Sequence, residues 1–316
     1  MNSDLLSGAD DRPPTFTQLL RGLQEGPPST RRLAAHAVWE GLFSLRKGHE
    51  VTEPVTPDEG LLRGELVTAL TAALRAGRGT TEDEKALRYS VCRAIMELGP
   101  LAAGAIPALE ETLVEVADGA KDAAGALGEI GEAAIPALIR TLSHPDDEVR
   151  RAAAQGLGRG GRGLNQDAIL ALERAMTDQD KLVRIYAAEA LGMVGPAAVP
   201  ALCNVLRGCP DMEDISYHVA RALVRVGDVG ILARLMKDDS VHVRRAASDA
   251  LGTAGFEKTA RHAIPALAEA LSDEDGQVRE HAARALERIG THFESEPEKP
   301  KLALQTPDLY RSMVPG

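Results

Sequence analysis

Tyr217, His218, Arg221 and Arg225 are separated by the one-, three- and four-residue steps that bring side chains to one side of a helix. His242 and Arg245 follow in the next periodic segment, and His281 in the one after it. Together these residue types could hold an anionic ligand or exchange a proton with it. The same residues also make an ordinary solvated polar face, and that is the reading expected here. His218 and His281 hold equivalent places in a recurring phrase but are separated by an intervening copy of it. Helices packed about 10 Å apart put them beyond the reach of a single metal ion. No HExxH or CxxC spacing occurs, so neither a metal nor any other cofactor is expected.

Two further motifs fail on context. GLGRGG at 156–161 matches the glycine pattern of a dinucleotide-binding turn, but it closes a helical phrase and follows no strand. Cys92, Cys203 and Cys209 have no evident base beside them in the sequence and make no disulfide framework. No residue is assigned a catalytic role.

The elements that carry these residues come in copies. VRRAAAQGLGRGG, VRIYAAEALGMVG, VRRAASDALGTAG and VREHAARALERIG are variants of one phrase, and AIPAL begins at Ala105, Ala134 and Ala263. The closing glycines are Gly99, Gly131, Gly161, Gly195, Gly227, Gly255 and Gly290, spaced 28 to 35 residues apart. Such a period is the signature of a solenoid. Each copy reads as two helices. Proline opens the first, where its missing N–H costs little, and glycine closes the second. An acid stands four residues before the arginine in Glu84/Arg88, Asp146/Arg150, Asp180/Arg184 and Asp275/Arg279. That spacing predicts a capped helix with an ion pair one turn on.

The combination DxxVRxxAAxALGxIG followed by AxPAL resembles HEAT repeats, specifically the short HEAT-like class of phycobilisome lyase subunits. The likeness covers residues 84–290, with units around 116–120 and 212–216 lacking the acid–arginine pair. The period is also shorter than the usual HEAT length of about 40 residues. Residues 30–42 fit the second-helix phrase, Phe16–Leu23 a helix before it, and 60–77 the helix after a loop at 46–60. The resemblance implies an all-α solenoid of about eight stacked two-helix repeats over 13–290, between tails at 1–12 and 291–316. It further implies that the second helices line a concave groove.

Counted back from the closing glycine, positions minus 12, 8, 5, 4 and 1 are apolar and should face the core. Positions minus 13, 10, 9, 6 and 2 vary and form the opposite stripe. Most of that stripe mixes acids and bases: Tyr89, Ser90, Arg93 and Glu97; Glu148, Arg151, Gln155 and Arg159; Asp214, Tyr217, His218, Arg221 and Arg225; His242, Arg245 and Asp249. One unit differs, with Leu182, Ile185, Tyr186, Glu189 and Met193 in the same places. An apolar and aromatic cluster rimmed by charge is the usual form of a protein-binding hot spot, or else it packs on a neighbouring segment. Trp39 reads as a packing residue of the first repeat.

The expected function is therefore a non-enzymatic scaffold or adaptor that binds a protein or extended peptide. Leu182, Ile185, Tyr186 and Met193 would anchor it, and Arg151, Arg159, Arg221, Arg225 and Arg245 would orient acidic groups, with Tyr217, His218 and Glu189 beside them. The resemblance leaves a chromophore-lyase-like or other small-molecule activity as the alternative. A formal charge of −11 argues against nucleic acid as a partner. The absence of a basic start followed by an apolar run, or of a long apolar stretch, suggests a cytoplasmic chain without a membrane partner.

Overall fold

The computed structural model describes residues 14–47, 60–116, 119–208, 213–252 and 260–295. The 1–12 tail, most of the 291–316 tail and the 46–60 loop, together with Cys209 and Gly255, lie outside those residues. Sixteen α-helices and short 3-10 turns make up the described structure, with no strand among the described residues. Two compact units divide the chain, Met1–Ala171 and Leu172–Gly316. Each is a run of two-helix HEAT-like repeats, as the sequence period requires.

The first unit holds α1 (Phe16–Glu25), α2 (Pro28–Arg46), α3 (Gly60–Ala76), α4 (Glu82–Leu98), α5 (Ile106–Glu115), α6 (Ala120–Ile130), α7 (Ile135–Thr141) and α8 (Asp147–Gly160). Helix α9 (Gln166–Ala175) runs into the second unit, which continues with α10 (Lys181–Val194), α11 (Val199–Gly208), α12 (Glu213–Val226), α13 (Val229–Leu235), α14 (Val241–Gly252), α15 (Ile264–Ala270) and α16 (Gly276–Ser295). Second helices stack on one another: α2 on α4, α4 on α6 and α6 on α8 in the first unit, α10 on α12, α12 on α14 and α14 on α16 in the second. First helices pack against their partners, as α5 does on α6 and α15 on α16.

Local signals set the helix ends. Thr15 and Thr81 form reciprocal capping boxes with Gln18 and Glu84. Proline stands in the first turn of α5, α7 and α15, as AIPAL predicts. Gly99, Gly131, Gly161 and Gly195 close their helices with positive φ and ψ between −125° and −150°. That is not the left-handed helical geometry the sequence suggests but the mirror-extended region, open essentially to glycine alone. Gly290 does not close its helix, because α16 continues to Ser295.

The periodic apolar positions are the core. Val183, Ala187, Ala190, Leu191 and Val194 of α10 are all buried, as are Leu87, Val91, Ala94, Ile95 and Leu98 of α4. The second helices approach through glycine. A β-carbon on Gly156 of α8 would stand 2.6 Å from the Ala124 carbonyl of α6, and one on Gly192 of α10 would stand 2.9 Å from Ala222 Cα of α12. GLGRGG therefore serves helix packing and termination. Glu82–Glu115 is long and apolar enough to cross a membrane by length and composition, contrary to the sequence expectation, but more than half of its apolar window is buried within the protein. It comprises α4, a kinked 3-10 segment and α5, and its apolar residues belong to the repeat core.

The recurring arginine also serves the turn that precedes its helix. Asp146, Asp180 and Asp275 do cap α8, α10 and α16 through backbone N–H groups. The guanidiniums reach further back, to the turn carbonyls that the helix ends leave open. Arg150 donates to His144 and Pro145, Arg184 to Asp178 and Gln179, and Arg279 to Asp273 and Glu274. Arg88, only 2% exposed, donates to Gly77 at 2.6 Å and Gly79 at 2.5 Å. Arg244 donates to Asp238 and Asp239 although Ser240 replaces the acid in its unit. The planar fork of donors lets one side chain satisfy two carbonyls, which an acid at that place cannot do.

Candidate functional site

In the second unit α10, α12, α14 and α16 form one layer, and the variable positions of each helix lie away from its buried column. Leu182 and Met193 of α10 are 39% and 42% exposed, with Ile185, Tyr186 and Glu189 half-buried between them. Tyr217 on the adjacent α12 is 58% exposed. Its ring meets His218 edge-on at 5.2 Å, and the Arg221 guanidinium lies 5.8 Å from its centroid. Two neighbouring helices thus carry large apolar and aromatic side chains open to solvent. Such a surface costs hydration free energy unless a partner covers it.

The flanking charges divide into two kinds. Arg221 and Arg225 are exposed, and among the described residues no carboxylate stands within 4.0 Å of either. Arg245 of α14 is bound to Asp275, which caps the following second helix. That hydrogen bond, with the N–H groups of Val278 and Gln277, holds the Asp275 carboxyl well below the usual carboxylate range. Arg151 and Arg159, read from sequence as part of the same stripe, belong to the first unit. There Arg151 is paired with Asp147 and Glu148 on its own helix, and Arg159 with Glu129 of α6 at 3.4 Å. Each of these three arginines holds a carboxylate of the protein, and Glu148 is engaged with Arg151.

The histidine-rich end of the stripe opens a shallow cleft of about 360 Å³ between α14 and α16, lined by Asp249, Gly252, His281, Arg284, Glu287 and Arg288. Arg284 pairs with Glu280, Arg288 donates to the Gly252 carbonyl at 2.6 Å, and His281 Nδ1 lies 3.5 Å from Ser248 Oγ. Bases and acids are balanced there, which gives the polar face expected from sequence. Cys92 and Cys203 are buried, and burial pushes both thiols up, Cys203 to about 11, so neither is a nucleophile at neutral pH. Ser90, placed on the open stripe by its spacing, is buried. Small residues in that column sit in the seam between second helices.

A further cluster joins α2 and α4. Trp39 of α2 does more than pack: it stacks under the Arg93 guanidinium and against Tyr89, both on α4. The signal was present in the alignment, where Trp39 occupies the column held by Gly128, Gly158 and Gly192 in later copies. An indole at a close-packing column must spread over the neighbouring helix.

Comparison with known families agrees with this architecture. HEAT repeats match residues 115–182 and 229–304, and the PBS lyase HEAT-like repeat matches 183–208, together just over half of the chain. The chain belongs to the HEAT-repeat family. The same helix pairs extend into α1–α4, ahead of the matched residues. No curated protein matches the chain. Among solved structures, this HEAT-repeat protein is similar to a chain of the AP-3 complex at 12% identity and a TM-score of 0.48, covering 86% of this chain and 50% of that one. It is similar to importin beta at 16% identity and a TM-score of 0.46, covering 91% and 42%. It is also similar to the CpcE–CpcF phycocyanin lyase of Nostoc sp. PCC7120 at 22% identity and a TM-score of 0.35, covering 98% of both chains. The chain spans about half the length of the first two.

Proposed function

We propose that this HEAT-repeat protein is a non-enzymatic scaffold, working in the cytoplasm, that binds a protein or extended peptide along the second helices of its second unit. The observation that carries the reading is the solvent-open set Leu182, Met193 and Tyr217 on the packed helices α10 and α12. Ile185 and Tyr186 complete the apolar anchor, and Tyr217 joins it from the next repeat. Arg221 and Arg225, which pair with no acid among the described residues, orient carboxylates of the partner, while Glu189 disfavours an acid directly over the anchor. Arg245, Arg151 and Arg159 contribute by fixing their helices.

Aspartate at Tyr186 and Met193 places two charges in the anchor without touching the buried column. Affinity capture from the native host, read by mass spectrometry, should show a polypeptide held by the wild type and lost by this double variant, with helical circular dichroism unchanged. The same polypeptides retained by both proteins would sink the proposal.

A second reading has one observation in its favour: the PBS lyase HEAT-like match at 183–208 contains Ile185, Tyr186, Glu189 and Met193. In that reading the patch holds a bilin chromophore. A new visible absorbance band on mixing the protein with a bilin would support it, and an unaltered bilin spectrum would exclude it.

A further inference from the structure

Trp39 is the single tryptophan of the chain and is half-buried on α2. The Arg93 guanidinium lies 5.4 Å from the centroid of its ring, and Tyr89, 44% exposed and one turn earlier on α4, meets it edge-on at 5.9 Å. His36 closes the other side at 5.4 Å, itself held by Glu40. Stacking on an indole occupies the face of a guanidinium and leaves its edge, with two parallel donors, available to an acceptor.

Arg93 stands apart from its neighbours in the first unit. Arg88 and Arg150 are used up on turn carbonyls, and Arg151 and Arg159 on carboxylates. For Arg93 no ion pair forms among the described residues, and its Nε is buried without a hydrogen-bond partner, as is Trp39 Nε1. Lys121 on the adjacent α6 is likewise an exposed cation, with no acid within ion-pair distance among the described residues. Asp122 feels the charge of both. Desolvation pushes its carboxyl above the usual value despite the pull of Arg93, Lys121 and Arg159.

We propose that Arg93, stacked on Trp39 and flanked by Tyr89, is a recognition site for the carboxylate of an acidic residue in a polypeptide partner, with the two rings receiving an apolar neighbour of that acid. Charge selects a monoanion. Arg93 and Lys121 form no ion pair among the described residues and are set in a chain of net charge −11, which suits a carboxylate and repels a dianion. The geometry agrees, because the free guanidinium edge matches the two oxygens of a carboxylate. This inference shares with the preceding section only the assumption that the partner is a polypeptide. It uses none of the α10 or α12 residues.

Trp39 reports on its own site. Its fluorescence is followed while N-acetyl-Phe-Glu-amide, the isosteric N-acetyl-Phe-Gln-amide, or inorganic phosphate is added at constant ionic strength. The expected result is a saturable change with the Glu probe, with affinity about ten-fold or more weaker for the Gln probe, as loss of a charge-assisted pair requires. Arg93→Gln should reduce the Glu probe to the level of the Gln probe, and Arg93→Lys should fall between. Tyr186→Asp with Met193→Asp should leave the response intact, which separates this site from the α10 anchor. Equal responses to both peptides, no saturation by the Glu probe, or a full response from Arg93→Gln would overturn the assignment. Tighter binding of phosphate than of the Glu probe would overturn the choice of carboxylate.

Discussion

Replacing Arg244 with alanine is expected to lower the unfolding free energy by about 3 kcal/mol or more, the usual cost of removing one partner from a buried charged network. Arg244 is buried and binds five acceptors: the carbonyls of Asp238 and Asp239 in its own turn, both oxygens of Asp273, and Glu274 in the next repeat. Removing it leaves two turn carbonyls and a largely buried carboxylate without their donor. The exposed Lys237, paired with Glu269, provides the comparison. Its replacement should cost under about 1 kcal/mol, as expected for a surface pair. Urea unfolding of the two variants gives the difference directly, and equal midpoints would contradict the network.

Acidity offers a second readout of the same variant. Burial works to raise the Asp273 carboxyl, but the Arg244 hydrogen bond and the N–H of Asp275 more than offset it, so the group lies below its ordinary value. A depressed carboxylate contributes stability that is complete above its unfolded value and is lost as pH falls through its folded value. The gap between wild type and Arg244→Ala should therefore be widest at neutral pH and shrink below about pH 4. A gap that widens in acid would have the wrong sign.

Gly156→Ala should destabilise the protein by about 1–3 kcal/mol, although alanine is the better helix former by about 1 kcal/mol. The added β-carbon would stand 2.6 Å from the Ala124 carbonyl and 2.8 Å from Leu138, so α6 and α8 would have to separate. Gly64, inside the exposed face of α3, has nothing within 4 Å of the corresponding position. Gly64→Ala should stabilise by roughly 0.5–1 kcal/mol, since only propensity acts there. Thermal unfolding of the pair separates contact from propensity. Stabilisation by both changes would mean that the second helices do not touch through their glycines.

These residues show why part of the structure is legible in the sequence. Burial follows the 3.6-residue period, so the apolar columns of α4 and α10 can be placed from spacing alone. Closing glycines and AIPAL prolines mark helix ends because only those residues fit the backbone there. The role of the arginines is less accessible. Arg150 and Arg184 stand one turn after an acid, yet they reach carbonyls five and six residues back, because the turn folds over the helix start. Arg245 binds an acid, Asp275, that lies 30 residues on. Pairing across repeats depends on how adjacent helices are offset, and no single copy records that offset. The packing partners of Trp39 are hidden for the same reason: Tyr89 and Arg93 come from the next repeat.

The apolar anchor on α10 is the centre of the functional account, and footprinting tests it most directly. Hydroxyl-radical labelling of the protein alone, and with the polypeptide it retains from its host, reads the solvent exposure of each side chain. Leu182, Tyr186, Met193 and Tyr217 should lose reactivity together in the complex, while the equally exposed Leu101 of the first unit keeps its own. Bound polypeptide with Met193 and Tyr217 as reactive as in the free protein would contradict the anchor.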